Sequence, residues 1–361
     1  MEIAGRLALV LVSAWVVTGT ALNLSRHPHW YVRGWDFPRP VIALLALACG
    51  LLYRALFYTG EWHEVVLLAA LGLALAWQLV NIFPYLPIAP RPVKRARRHD
   101  PKHRFRLLIS NVLIENRDFE RWLAVVAAAR PDVVIALEVD GEWDRFLSRM
   151  QETHPAALRH PLDNAYGMAL YSRLPIREHR LEFLVQDDIP SLHVVLELPS
   201  GQPVWLHAVH PRPPEPLRNQ DATPRDAELM KVARRIREAP PRPTVVAGDL
   251  NDVAWSFTTH LFLRESGLLD PRLGRGFYNT FNVKTPLFRF PLDHVFHSNQ
   301  FRLVELRRLD DVGSDHFPVL IELSYEPEGA PAQPRPQPDA ADEREVEERI
   351  QRAEPETQAG K

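Results

Sequence analysis

The chain of 361 residues is almost without cysteine, Cys49 standing alone. A single thiol cannot form an internal disulfide framework and cannot build a Cys-based metal site. The thiols therefore carry no information about which side of a membrane the chain faces. Charge of one sign is also missing in excess. The 43 Lys and Arg against 45 Asp and Glu leave a formal net charge of −2, so no global field draws the chain toward nucleic acid or another polyanion. Internal repeats are absent too. What is present is an ordinary globular composition, 46% hydrophobic and 24% charged, with room for one large domain or two modest ones.

That average conceals three zones. The first 90 residues are strongly apolar, the middle is a regular mixed sequence, and the end is rich in Pro, Ala, Glu and Arg. "LALVLVSAWVVTGTALNL" from Leu7 runs 18 residues without a charge, close to the length needed to cross a bilayer. "VIALLALACGLLYRALFY" from Val41 is similar, with Arg54 placed where a long side chain can snorkel. "VVLLAALGLALAWQLVNIF" from Val65 is the third such segment. Buried core helices are the structural alternative, but three successive segments with almost no polar face favour a three-span membrane anchor over 1–90. A cleaved signal peptide is the alternative for the first segment; its long apolar run and the lack of a small-x-small site favour an uncleaved span. Trp30, Tyr31, Trp35 and Phe37 read as an interfacial aromatic belt.

Three spans put the first loop and everything after Phe83 on one face. Arg26, Arg33 and Arg39 lie in that loop, and Arg91, Lys94, Arg95, Arg97 and Arg98 follow the third span, in a basic juxtamembrane linker over 91–104. The positive-inside rule then predicts a cytoplasmic C-terminal region, with the extracytoplasmic arrangement as the alternative. The basic collar also suits anionic lipid headgroups, so the expected partner at this level is the bilayer.

From Phe105 short apolar runs alternate with amphipathic stretches. "FRLLISNVL" predicts a strand, and "DFERWLAVVAAARPD" a helix with Phe119, Leu123, Val126 and Ala127 on one face. "VVIALE", "MALYS", "LHVVLELP", "PVWLHAVH", "TVVAGD", "DHVFH", "FRLVELRR" and "FPVLIELSY" predict further strands. "TPRDAELMKVARRIREA" predicts a helix capped by Thr223, with Pro224 in its first turn and Asp226 completing a capping box. "WSFTTHLFLRES" predicts another helix. Strands outnumber helices and several are consecutive, which predicts a mixed sheet or two sheets flanked by helices rather than a doubly wound fold. The tail over 326–361 is predicted to be disordered, its composition offering little to pack.

On this reading, polar residues collect at strand ends: Asn111, Glu138, His210, Asp249 with Asn251, Asp293 with His294, and Asp315 with His316. Loops at strand ends are where folds place binding and catalysis. Each residue has a structural alternative: Glu138 as a cap for a helix near Gly141, "GDLND" as a turn, His210 as a surface imidazole, Asp293 as a partner of Arg289.

Their order along the chain is what carries a resemblance. "SNVLIEN", "PDVVIALEVD", "GMALYSRLPI", "LHAVHPRPP", "VVAGDLND", "PLDHVF" and "GSDHFPVL" together resemble the endonuclease/exonuclease/phosphatase superfamily with its DNase-I-like fold, over about 105–325. With three spans ahead of it, the chain resembles the membrane-attached bacterial branch that includes teicoplanin-resistance-type proteins. The resemblance implies an α/β (α+β) sandwich of two mixed β-sheets flanked by helices. It implies metal-assisted attack of water on phosphorus. Glu138 and Asp315 would hold Mg²⁺ or Mn²⁺, ions that prefer carboxylates, waters and phosphate oxygens. Asn111 would contact the phosphate, Asp249 would orient or deprotonate the water, and Asn251 would donate to the transition state. His316, paired with Asp293, would meet the scissile phosphate or move a proton, and His210 would act as a second phosphate contact or acid. Leu113 and Leu137 stand where many nuclease members have Asp and Gln, which implies a smaller ligand set and a single metal ion.

The resemblance leaves the substrate open. A nuclease needs Lys and Arg along the strand it binds, whereas the densest basic run here is juxtamembrane. The favoured substrate is a lipid phosphate or lipid-linked pyrophosphate. A nuclease or nucleotide phosphodiesterase and a non-catalytic scaffold are the alternatives. Arg212 in "HPRPPEP" is expected to hold a second phosphate, or else to sit in a surface Pro-rich turn. No protein partner is implied.

Overall fold

The computed structural model describes residues 2–215 and 220–359. Pro216, the last residue of "HPRPPEP", and the final two residues of the tail lie outside the described residues.

The apolar segments form three helices long and apolar enough to span a membrane: α1 (Glu2–Leu24), α3 (Arg39–Leu56) and α4 (Trp62–Ile82), the last extended by a 3₁₀ turn to Tyr85. The four-residue α2 (Trp30–Arg33) lies between the first two. Val16, Ile42, Ala46, Cys49, Leu71 and Ala74 pack where the three long helices meet. Leu11, Trp15, Leu44, Leu51, Leu73 and Val80 face outward and are exposed, the inverse of a water-soluble bundle and the surface a bilayer would cover.

The rest forms two sheets. One has the order β10-β11-β1-β2-β4-β3, the other β5-β6-β7-β8-β9. Their strands are β1 (Arg104–Asn111), β2 (Val133–Leu137), β3 (Ala156–His160), β4 (Met168–Ser172), β5 (Ile176–Glu182), β6 (Ser191–Glu197), β7 (Pro203–Ala208), β8 (Thr244–Asp249), β9 (Asp293–His297), β10 (Phe301–Arg308) and β11 (Val319–Tyr325). Both sheets are mixed: β1–β2 and β7–β8 are parallel pairs, and the other pairings are antiparallel. Alternate residues of each sheet, such as Leu107, Ile109 and Ile135 from the first and Leu192, Val194 and Val245 from the second, meet in one shared core. Helices α5 (Phe119–Ala129) and α6 (Gly141–Leu147) cover the outside of the first sheet. Helices α7 (Thr223–Glu238), α8 (Phe257–Ser266) and α9 (Ala340–Ala359) cover the second. The expected sandwich is the observed one.

Three local expectations are corrected. The tail is not disordered over 340–359: α9 buries Val346, Ile350 and Ala353 against the α7/α8 layer. Those residues recur at helical spacing, an apolar stripe too narrow to register in the composition. The basic segment after α4 is not a free linker. Ala96 donates to the Leu303 carbonyl at 2.9 Å and Leu303 to the Lys94 carbonyl at 3.0 Å, so it lies as a short strap along β10. Helix α7 is preceded by Ala222, and Asp226 turns inward to Arg225 instead of closing a capping box.

Candidate active site

The parallel pair β1–β2 ends where Asn111 and Leu137 are register partners, so Asn111 and Glu138 emerge together at one end of the sandwich. At the same end β8 finishes as β9 begins, with Asp249 and Asp293 as antiparallel partners. Strand β11 starts there too, just after Asp315 and His316. Three strand ends (β1, β2 and β8) and two strand starts (β9 and β11) thus bring together residues up to about 200 positions apart in the sequence.

Close backbone approach makes this possible. A Cβ on Gly248 would lie 1.9 Å from the Val209 carbonyl oxygen, so the first residue of "GDLND" must be glycine for β7 and β8 to leave the sheet side by side. Beyond it the backbone of Asn251 is left-handed, φ 51°, and so is that of Glu138, φ 62°. Such conformations for non-glycine residues concentrate where a site fixes them.

Asn111 is the hinge between the two halves. Its Nδ2 donates to Glu138 Oε1 at 2.7 Å and to Asp249 Oδ2 at 3.3 Å. The Ile114 N–H adds a bond to Glu138 Oε2 at 3.2 Å. Glu138 caps no helix; Asp140 performs that task for α6 by accepting from Glu142 and Trp143. Burial pushes the Glu138 carboxyl above its ordinary range, although Asn111 and Ile114 oppose the shift.

His316 lies between two carboxylates. Its Nδ1 is 2.8 Å from Asp293 Oδ2, and its Nε2 is 3.5 Å from Asp249 Oδ2. Burial alone would lower its pKa, but Asp293 and Asp249 outweigh it and hold the imidazolium, with the pKa raised to about 10. Arg289 donates to the Asn282 and Val283 carbonyls, not to Asp293. Burial raises Asp249 to about 7 against the field of His316. His210 stands across from them, 3.9 Å from Asp249. Burial, reinforced by His316, lowers it to about 3, so its ring is neutral.

Asp249, Asp293 and His316 could by distance hold an ion, their ligand atoms lying within 4.8 Å of one another. Both nitrogens of the His316 ring face carboxylates, which makes this trio a proton-linked chain first. The unmet demand lies beside it: Asp315 Oδ1 is buried without a hydrogen-bond partner, as is Asp293 Oδ1. Buried carboxylates with free oxygens are the donor set a hard divalent cation takes, so the residues present fit Mg²⁺ or Mn²⁺.

Glu138, His210, Asp249, Asn251, Asp315 and His316 all line one cavity of about 440 Å³. Asn111 and Asp293 support it from behind. Asn251 uses its side-chain N–H on the Pro211 carbonyl at 3.0 Å, and its own carbonyl accepts from Arg225 at 2.7 Å. Arg212 is the exception. Its guanidinium pairs with Asp188 and lies over the Tyr166 ring at 5.0 Å, and it does not line the cavity. An acid and an aromatic ring nearer to hand have captured that cation.

Sequence reasoning missed two groups. Arg225 and Thr280 hold the loops: Thr280 Oγ1 accepts from the backbone of Leu292 and Asp293 at 3.3 and 3.2 Å. Trp30, Gly34 and Phe37, from the connection between α1 and α3, also line the cavity. Their aromatic character was legible as a membrane-interface belt, but nothing in it signals contact with residues more than 100 positions away.

A model of the Endonuclease/Exonuclease/phosphatase family matches residues 108–316. No curated protein matches the chain by sequence. Among solved structures, a humanized D. rerio TDP2 is 19% identical with a TM-score of 0.52, the match covering 62% of this chain and 99% of that one. The human Nocturnin catalytic domain is 17% identical with a TM-score of 0.50, covering 62% and 94%. An endonuclease/exonuclease/phosphatase from Bacteroides vulgatus is 15% identical with a TM-score of 0.50, covering 62% and 99%.

Proposed function

Because the chain belongs to the endonuclease/exonuclease/phosphatase family and is a hydrolase of phosphoester bonds, we propose that it is a membrane-attached, divalent-metal-dependent phosphoesterase acting on a lipid phosphate or lipid-linked pyrophosphate. The observation that carries the reading is the convergence of Glu138, Asp249, Asp315, His210 and His316 on one cavity in a chain whose first 85 residues include three helices apolar enough to span a bilayer.

In this reading Glu138 and Asp315 hold Mg²⁺ or Mn²⁺, which when bound supplies positive charge to the phosphate oxygens. Asn111 fixes Glu138 and Asp249 relative to each other. Asp249, raised toward neutrality, orients the attacking water and accepts its proton. His316, kept cationic by Asp293, directs Nε2–H toward charge developing on the phosphoryl group. Neutral His210 contributes one N–H contact, which favours the contact role over the acid. Asn251 shapes the loop and offers its remaining amide hydrogen to the substrate. The catalytic domain shares a membrane face with the α1–α3 connection, and the basic residues after α4 support the cytoplasmic side, with the extracytoplasmic side as the alternative.

The test is phosphate release from a polyprenyl pyrophosphate in detergent, with Mg²⁺ and with EDTA, beside the Glu138→Ala protein. Release that requires both metal and Glu138, falling by about 10³-fold without either, is the expected result. An untouched lipid alongside plasmid DNA cut under the same metal dependence would replace the lipid by nucleic acid and leave the site assignment standing.

A further inference from the structure

The catalytic cavity is lined by both polar and apolar side chains. Besides the carboxylates and imidazoles, its lining includes Trp30 and Phe37 from the connection between α1 and α3, together with Phe281, whose ring lies 4.9 Å from that of His316, and Leu292. Among the described residues no Lys or Arg lines it. A nucleic acid strand or nucleoside polyphosphate presents several anionic groups and would need cations along the wall. A ligand with one phosphorylated head and a hydrocarbon body needs what is present.

The wall is built, not incidental. Phe37 packs edge-on to Phe290 with ring centroids 5.4 Å apart. The adjacent Asp36 is buried in ion pairs with Arg33 at 3.0 Å and Arg39 at 2.6 Å, and its carbonyl accepts from Trp255 Nε1 at 2.7 Å. Trp30 begins a chain of aromatic contacts: Trp30–Tyr31 at 5.8 Å, Tyr31–Trp35 at 6.3 Å and Trp35–Trp15 at 4.7 Å. Trp15 lies on α1 and is exposed on its outward face. A continuous series of aromatic contacts thus links the cavity wall to the outward face of α1, the surface that a bilayer would cover.

We infer that Trp30 and Phe37 form the hydrocarbon-chain subsite of the catalytic cavity, selecting an amphiphile with a single phosphorylated head presented from the bilayer. This rests on the lipid-phosphoesterase reading and deepens it. Trp30 and Phe37 act on binding of the chain and take no part in the attack on phosphorus.

The experiment uses the full chain in detergent and two substrates with the same scissile bond, the methyl and hexadecyl esters of p-nitrophenyl phosphate. The wild-type protein is expected to favour the hexadecyl ester in kcat/KM, and Trp30→Ala or Phe37→Leu to cut that preference by roughly tenfold, mainly through KM. The ratio is internal to each preparation, so partial misfolding does not imitate the effect. An unchanged ratio in both variants overturns the subsite while leaving the lipid reading intact. A wild-type protein that cleaves the methyl ester without preferring the hexadecyl ester overturns the lipid reading, and the subsite with it. A readout free of turnover is photolabelling by an alkyl phosphate with a terminal diazirine, competed by hexadecyl phosphate. Label on the peptide containing Trp30 and Phe37 supports the subsite; competable label confined to the outward faces of α1, α3 and α4 overturns it.

Discussion

At His316 the identity of one atom decides the chemistry. A carboxylate on each side of the ring holds a proton that solvent alone would not hold at alkaline pH, so this imidazole is cationic without a lysine or arginine beside it. The neighbouring His210, equally buried but without a hydrogen-bond partner on Nδ1, is neutral because burial disfavours its charged form and the positive His316 adds to that. Away from the site, Glu228 on α7 shows what burial does to an acid without a cationic contact. Burial raises it to about 8, although Ser191 donates to its Oε1 at 3.0 Å. A raised folded-state pKa means that the folded protein keeps this proton where the unfolded chain has lost it. The corresponding stability is complete below the ordinary carboxylate pKa and is lost as pH rises through about 8. Glu228→Gln keeps the acceptor and removes the titration. It is expected to leave the melting temperature nearly unchanged at about pH 4 and to raise it at about pH 9, the gain approaching on the order of 4 kcal/mol. Equal shifts at both pH values, measured by thermal unfolding in matched buffers, would show that Glu228 is not held protonated.

Elements differ in how openly their sequences declare them. The strands that end or begin at Asn111, Glu138, Asp249, Asp293 and His316 were legible because apolar runs with polar residues at their ends survive any averaging, and their order along the chain matched a known pattern. Arg212 was misplaced because a sequence does not reveal which of several acids will reach a guanidinium first. Helix α9 was missed because its pattern is held by three small apolar side chains and one buried cation among many exposed charges. That cation, Arg349, reaches Asp226 at 2.5 Å and Thr258 Oγ1 at 2.7 Å. Asp226 in turn accepts from Arg225, whose Nη1 holds the Asn251 carbonyl. Helix α9 is therefore linked by three successive hydrogen bonds to the loop that follows Asp249. Arg349→Ala removes one of the two cations serving a buried carboxylate and is expected to cost about 3 kcal/mol. It should read out as a lower melting temperature, with kcat reduced more than KM as the Asn251 loop loosens. A tail that merely trailed from the domain would tolerate the change without a shift in either.

For the whole molecule the question is whether the apolar helices are a tether or part of the folded unit. Arg33 and Arg39 count toward the positive charge of the first loop in any topology argument, yet both are buried on Asp36. That cluster extends into the helices, where Asn23 donates to Asp36 at 3.3 Å and Gln78 donates to Asn23 at 2.8 Å and to Thr20 at 3.0 Å. It extends into the catalytic domain through Trp255. The Tyr85 hydroxyl, at the end of the third apolar helix, donates to the Ala254 carbonyl at 2.5 Å, and Ala222 donates to the Pro28 carbonyl at 2.9 Å. Such contacts give the apolar helices and the catalytic domain a common interior, and they explain how a loop between two apolar helices comes to form a wall of the cavity. Asp36→Ala strands two buried guanidinium groups at this joint. The expected cost is about 3 kcal/mol, seen in detergent as a single unfolding transition moved down by about 6 °C. If the helices were only a tether, tryptophan fluorescence would instead resolve two transitions, with the catalytic domain melting where it does in the unaltered chain.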